Sequence, residues 1–229
     1  MALLIFAVLS LLVAGELQAG VVVGGTRFIF PADRESISIL LTNTSQESWL
    51  INSKINRPTR WAGGEVSTVP APLLAAPPLI LLKPGTTGTL RLLRTESDIL
   101  PVDRETLFEL SIASVPSGKV ENQSVKVAMR SVFKLFWRPE GLPGDPLEAY
   151  QQLRWTRNSQ GVQLTNPTPY YINLIQVSVN GKALSNAGVV SPKSQRQTSW
   201  CQAIAPCHVA WRAINDYGGL SAKKEQNLP

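Results

Sequence analysis

One histidine, two cysteines and a charged fraction of 17% leave little to build chemistry from. With His208 the only histidine, a Ser-His-Asp or Cys-His site is improbable. Its neighbour Cys207 would point to the opposite face of a strand. The sequence has no G-x-S-x-G, no phosphate-cradling glycine loop and no G-x-G-x-x-G. Asp103 and Glu105 could act as paired carboxylates, but Asp-Arg-Glu in a row reads more simply as a solvated or salt-bridged turn. The chain therefore reads as a non-enzyme that requires no cofactor and no metal. Basic residues outnumber acidic ones, 22 to 16, but they are dispersed and form no tract, which argues against nucleic acid. Heptad-like and alanine-rich runs are also missing, which leaves little room for helix.

The one long apolar run stands at the start. Met1 to Val13 is almost wholly apolar, and Gly15-Glu16-Leu17-Gln18-Ala19 follows. Residues 1–19 read as a secretory signal peptide, although no Lys or Arg follows Met1 to supply the usual positive region. The run is too short for a comfortable membrane span. Cleavage near Ala19 removes Glu16 alone among the charges, leaving a net charge of +7 (22 basic, 15 acidic). Such a charge suits an anionic surface or a partner that presents a carboxylate. In an oxidising compartment Cys201 and Cys207 most simply form a local disulfide. With His208 they would offer a metal only three ligands.

What is abundant is turn chemistry between short apolar runs. Seventeen Pro and sixteen Gly are scattered, and strand-like segments recur every eight to twelve residues or so. Ser36–Leu41, Trp49–Ile55, Leu79–Leu82, Thr89–Leu93 and Leu107–Val115 precede the longest candidate, Ser124–Trp137. Arg138-Pro139-Glu140-Gly141-Leu142-Pro143-Gly144-Asp145-Pro146 must end that sheet, because proline cannot donate to a ladder. Shorter strands follow at Leu153–Thr156, Gly161–Thr165, Tyr170–Val179, Gln197–Trp200 and His208–Ile214. About seven strands before the linker and five to seven after it predict an all-β chain of two immunoglobulin-like sandwiches.

The longest strand candidate has an unusual composition. Val125, Val127 and Met129 share one face; Lys126 and Arg130 share the other. On pattern alone this is a half-buried sandwich strand. The other reading is an exposed edge whose apolar row is meant for a partner, with Lys126 and Arg130 guarding against self-pairing. Farther on, Lys134 interrupts the apolar run Val132-Phe133-Lys134-Leu135-Phe136-Trp137. It should snorkel, pair with a carboxylate, or sit in a cleft to receive an anion. Arg27, within Thr26-Arg27-Phe28-Ile29-Phe30, poses the same question. Two such cations could form a carboxylate clamp if they meet in space.

Together these segments resemble the periplasmic pilus chaperone family, the PapD-like chaperones of the chaperone–usher pathway. The resemblance spans about Val21 to Leu220. It is carried by Thr26–Phe30, by Pro78-Leu79-Ile80-Leu81-Leu82-Lys83-Pro84-Gly85 with Leu90-Arg91-Leu92, and by Leu100–Phe108 with Val115-Pro116. Phe133–Pro139, Asn166-Pro167-Thr168-Pro169-Tyr170-Tyr171 and Ile214-Asn215-Asp216-Tyr217-Gly218-Gly219 complete it. Each piece is modest alone; six in the right order are specific. The resemblance implies two immunoglobulin-like domains, residues 20–139 and 140–229, arranged in an L with an interdomain cleft. It implies that Arg27 and Lys134 hold the C-terminal carboxylate of a pilus subunit. Val125, Val127 and Met129 would be the donor strand that fills the groove of the subunit's incomplete sandwich. Glu105, Arg138 and Asp216 would form a charged cluster setting the angle between domains. An outer-membrane usher would be the second partner and the periplasm the location. The short Pro116–Ser124 connection resembles the branch that assembles rod-like pili. An immunoglobulin-like surface adhesin or receptor-binding protein is the alternative.

One conflict of register remains. Val125, Val127 and Met129 are odd-numbered and Lys134 is even, so a regular pleat puts them on opposite faces. Either a bulge lies near Arg130–Val132, or the clamp reaches the cleft from the strand's other side.

Overall fold

The computed structural model describes residues 20–59, 61, 70–95, 100–118, 126–202 and 206–229. The signal-peptide reading of residues 1–19, Val125 of the expected donor row and most of the Pro116–Ser124 connection lie outside them. Among the described residues no helix is long and apolar enough to cross a membrane.

The first sandwich is built from nine strands: β1 (Val21–Val23), β2 (Arg27–Pro31), β3 (Ser36–Asn43), β4 (Ser48–Asn56), β5 (Leu73–Ala76), β6 (Leu79–Leu82), β7 (Thr87–Arg94), β8 (Thr106–Ser117) and β9 (Met129–Arg138). One sheet has the order β1-β3-β7-β5, the other β2-β9-β8-β4-β6. Alternation decides which faces meet. Phe28 and Phe30, Ile39 and Leu41, Leu90 and Leu92, and Leu110 and Ile112 each sit two apart. All of them enter one core with Ile51, Phe108, Leu135 and Trp137.

After the Pro- and Gly-rich segment and a short 3-10 turn (Ala149–Gln152), the second sandwich has eight short strands: β10 (Arg154–Asn158), β11 (Gly161–Asn166), β12 (Ile172–Val179), β13 (Lys182–Ala183), β14 (Val189–Val190), β15 (Ser194–Thr198), β16 (Cys207–Ala213) and β17 (Lys224–Leu228). The order is β10-β11-β15 in one sheet and β13-β12-β16-β17 in the other, with β14 paired to β12. Its separate core gathers Trp155, Val162, Leu164, Val177, Val209 and Trp211. Cys201 and Cys207 are disulfide-bonded beside that core.

Each sandwich uses a fully buried asparagine to close a turn. Asn43 donates to the carbonyls of Glu47, Leu82 and Lys83, while its Oδ1 accepts from the Ser45 N–H at 3.0 Å. Asn166 donates to Tyr170, Val190 and Ser191, and its Oδ1 accepts from the Thr168 N–H at 3.0 Å. A buried side chain that satisfies several backbone groups at once ties the strand ends of both sheets together.

Two strand expectations change. The long strand begins at Met129, not Ser124, among the described residues; Lys126, Val127 and Ala128 precede it outside the ladder. Its pairing to β8 runs unbroken from Ser114↔Met129 to Thr106↔Trp137, so no bulge lies between Met129 and Trp137.

Candidate functional site

Regular pleating along β9 sorts its side chains. The odd-numbered Phe133, Leu135 and Trp137 pack into the first core. The even-numbered Phe136 turns the other way, into a small apolar cluster with Leu107 and Val189, joined by Ile29, Trp61 and Tyr171. Val189 and Tyr171 belong to the second sandwich, so this cluster is where the two sandwiches touch. Lys134 shares the even face. The register conflict is thereby resolved: Lys134 lies on the face toward the domain junction, and Met129 lies on the face that continues the core.

That odd row runs past its own core. Leu135 is fully buried, whereas Met129 is 60% exposed and Val127 63% exposed. Lys126 does not point out as a free guard; its Nζ donates to the Gly118 carbonyl at 2.9 Å.

The edge of β9 changes along its length. From Lys134 to Arg138 it is covered by β2, which runs parallel with Arg27 opposite Lys134 and Phe30 opposite Trp137. From Met129 to Phe133 the side away from β8 has no strand partner among the described residues. Arg27 and Lys134 thus stand side by side where β2 begins and the open edge ends.

Both cations are short of acidic partners. Arg27 is 8% exposed; its guanidinium donates to the Ile214 carbonyl at 3.1 Å and its Nε finds no acceptor. Burial pushes it below the usual arginine range, with the charge of Asp216 acting the other way. Lys134 makes no ion pair among the described residues, and its Nζ lies 4.8 Å from the centre of the Trp61 ring. Burial, reinforced by Arg27, lowers it to about 8. A cation that loses hydration without gaining a counter-ion is a poor source of stability and a ready receptor for an anion.

Arg138, four residues farther along the same face of β9, has the opposite environment. It donates to Glu105 Oε1 at 2.7 Å and to both Asp216 oxygens at 2.7 and 3.0 Å. The other Glu105 oxygen accepts the Tyr171 N–H at 2.7 Å. The cluster therefore joins β9 and the residue just before β8 to the loop after β16 and to the residue just before β12. Burial opposes the Arg138 charge, but the hydrogen bonds and charges of Asp216 and Glu105 hold it above the usual range. Burial pushes Glu105 up to about 7 while Arg138 and the Tyr171 N–H pull it down.

Sequence reading missed several participants. Trp61 lies in a loop with no periodicity to mark it. Asp103 joins the domains through Lys193 at 2.7 Å, and Tyr170 lies under Arg138 at 5.3 Å. Only Asp103 carried a signal, in its Asp-Arg-Glu run.

Two family models match the chain. Residues 20–143 match the pili and flagellar-assembly chaperone PapD N-terminal domain, and residues 148–225 the pili assembly chaperone PapD C-terminal domain. The chain is 98% identical over 229 residues to the fimbrial chaperone YcbF of Escherichia coli (strain K12), covering 100% of this chain and 97% of that protein. It is 32% identical to the chaperone protein FimC of the same organism over 94% of this chain and 87% of FimC. Among solved structures, the Salmonella enterica SafB chaperone in complex with the SafA pilin superposes with a TM-score of 0.79 at 29% identity, over 94% of this chain and 99% of that one. The periplasmic chaperone SfaE superposes with a TM-score of 0.71 at 29% identity, over 91% and 99%.

Proposed function

This chain belongs to the PapD family of pilus-assembly chaperones, and from that premise we propose that it captures pilus subunits in the periplasm by donor-strand complementation and delivers them to an outer-membrane usher. The observation that carries the reading is the start of β2 at Arg27, beside Lys134, with β9 left open from Met129 to Phe133. A strand laid along that open edge would continue the line of β2. If its last residue sits at Arg27 and Lys134, it must run in the same direction as β9. The clamp would then fix its register, since a slip of one residue reverses which side chains face inward. A subunit's immunoglobulin-like fold with one strand missing exposes both core and edge. Val125, Val127 and Met129 would fill that core, extending the row that begins at Trp137 inside the chaperone. Main-chain hydrogen bonds would supply affinity and the alternating side chains fit.

Glu105, Arg138 and Asp216 would hold the domains, 20–139 and 140–229, so that the clamp faces a cleft. The reading is supported by the family models and by the likeness to a chaperone solved with a pilin. The test is co-expression with a candidate pilin. Arg27→Ala or Lys134→Ala should abolish recovery of soluble pilin from the periplasm, with chaperone levels unchanged. Undiminished recovery in both variants would overturn the clamp.

A further inference from the structure

Lys134 has one close companion that the clamp reading does not use. The ring of Trp61 covers its ammonium at 4.8 Å and is itself packed on the junction cluster of Leu107, Phe136 and Val189. The segment that carries Trp61 is fastened beside it. Glu109, buried and directly opposite Lys134 on β8, accepts the Thr59 N–H at 2.6 Å. The chain leaving β4 at Asn56 is therefore pinned two residues before the ring it presents.

The chemistry of this contact matters. An acidic side chain over Lys134 would neutralise it and compete with an incoming carboxylate, as Glu105 and Asp216 occupy Arg138. An aromatic face stabilises a partly desolvated ammonium through its quadrupole while leaving the N–H donors unspent. It also excludes water from one side of the ammonium, which strengthens any charge–charge contact made on the other. We propose that Trp61 is a positioning residue of the clamp, holding the Lys134 ammonium charged and aimed so that a partner's terminal carboxylate is bound by Arg27 and Lys134 over an aromatic wall. The inference rests on the clamp reading above.

The charged groups facing Lys134 are Arg27 on β2 and Glu109 on β8, with Asp216 of the second sandwich acting on Arg27. None is altered by changing Trp61. Replacing the ring by leucine keeps an apolar cover on the ammonium but removes the ring quadrupole, so Lys134 should fall farther below its present value of about 8.

The experiment uses the full mature chain and an alternating valine–threonine peptide in two forms, one ending in a free carboxylate and one in an amide. Binding is measured by calorimetry across pH for the parent, Trp61→Leu and Trp61→Phe, and the Lys134 side chain is titrated by NMR in each. Trp61→Leu should weaken the free-acid peptide roughly tenfold, the scale of a partly desolvated cation–π contact. It should leave the amide unaffected and move the Lys134 midpoint to lower pH. Trp61→Phe should restore most of both. If Trp61→Leu keeps the parent's preference for the free acid and its Lys134 midpoint, the Trp61 inference fails while the clamp stands. If the parent itself binds acid and amide equally, the clamp fails and the inference with it.

Discussion

Lys134, with Arg27 of β2 beside it, and Arg138 sit four residues apart on one face of β9, and their surroundings are opposite. Arg138 is saturated by Glu105 and Asp216. Arg27 and Lys134 have a backbone carbonyl and an aromatic face instead. Burial acts against charge at all three. Only at Arg138 do acidic partners more than offset it. A saturated buried network fixes how two bodies meet, because removing either partner strands the other. An unsaturated pair destabilises the free protein and is retained where something else completes it. The contrast separates a charge network completed within the chain from a pair of buried cations without an ion-pair partner among the described residues.

The largest effect is expected at the completed network. Arg138→Ala leaves Glu105 buried with its main counter-ion gone, a change that costs about 3–5 kcal/mol in comparable settings. Urea unfolding should show the midpoint falling by a corresponding amount. A loss below about 1 kcal/mol would mean that the network contributes specificity without stability, and the comparison would collapse. At Arg27 and Lys134 the sign reverses. Arg27→Met and Lys134→Met keep the apolar stems and delete the uncompensated charge, so free-protein stability should stay level or rise by up to about 1 kcal/mol, even though subunit capture is lost. A marked loss of stability in either variant would make these cations structural.

Lys134 adds a pH test with a definite sign. Its folded value of about 8 lies below the ordinary 10.5, so between those values the unfolded chain holds a proton that the folded chain lacks. Its contribution to stability is therefore greatest above 10.5 and is lost as pH falls through 8. Binding runs the opposite way, because a bound carboxylate favours the ammonium. Affinity should be flat below about pH 8 and decline above it, by at most about tenfold per unit. Lys134→Arg should flatten that profile. A flat profile in the parent would show that Lys134 takes no part in holding the carboxylate.

Much of the fold was legible because sandwich strands announce themselves by alternation and by the turns between them. The two cores follow from residues spaced two apart. The Pro- and Gly-rich run from Arg138 to Pro146 separates the two sets of sheets. The charged cluster was legible only through resemblance, since Glu105, Arg138 and Asp216 are far apart in sequence and nothing local pairs them. The adjacency of Arg27 and Lys134 likewise depends on a parallel pairing between the second strand and the ninth, a contact that no periodicity encodes. Trp61 was illegible for a different reason: it lies in an irregular segment held by the Thr59 N–H donating to the Glu109 carboxylate. The start of the long strand was misplaced because alternation continues through Lys126, Val127 and Ala128 although the ladder does not.

That overhang gives the smallest expected effect on the free protein. Leu135 and Met129 lie on the same face of the same strand, yet Leu135 is fully buried and Met129 is 60% exposed. Leu135→Ala removes packed core, whereas Met129→Ser removes contacts the free chain does not make. Stability should therefore change by less than about 0.5 kcal/mol in Met129→Ser, measured by the same urea midpoints. Recovery of co-expressed pilin should nevertheless drop, because a serine in a subunit's core groove buries a hydroxyl without a partner. The two measurements must diverge for the row to be a donor. If stability and recovery fall together, Met129 belongs to the chaperone's own fold. If neither changes, the partner's core is filled from elsewhere on the edge, and Met129 is only an exposed apolar side chain at the start of β9.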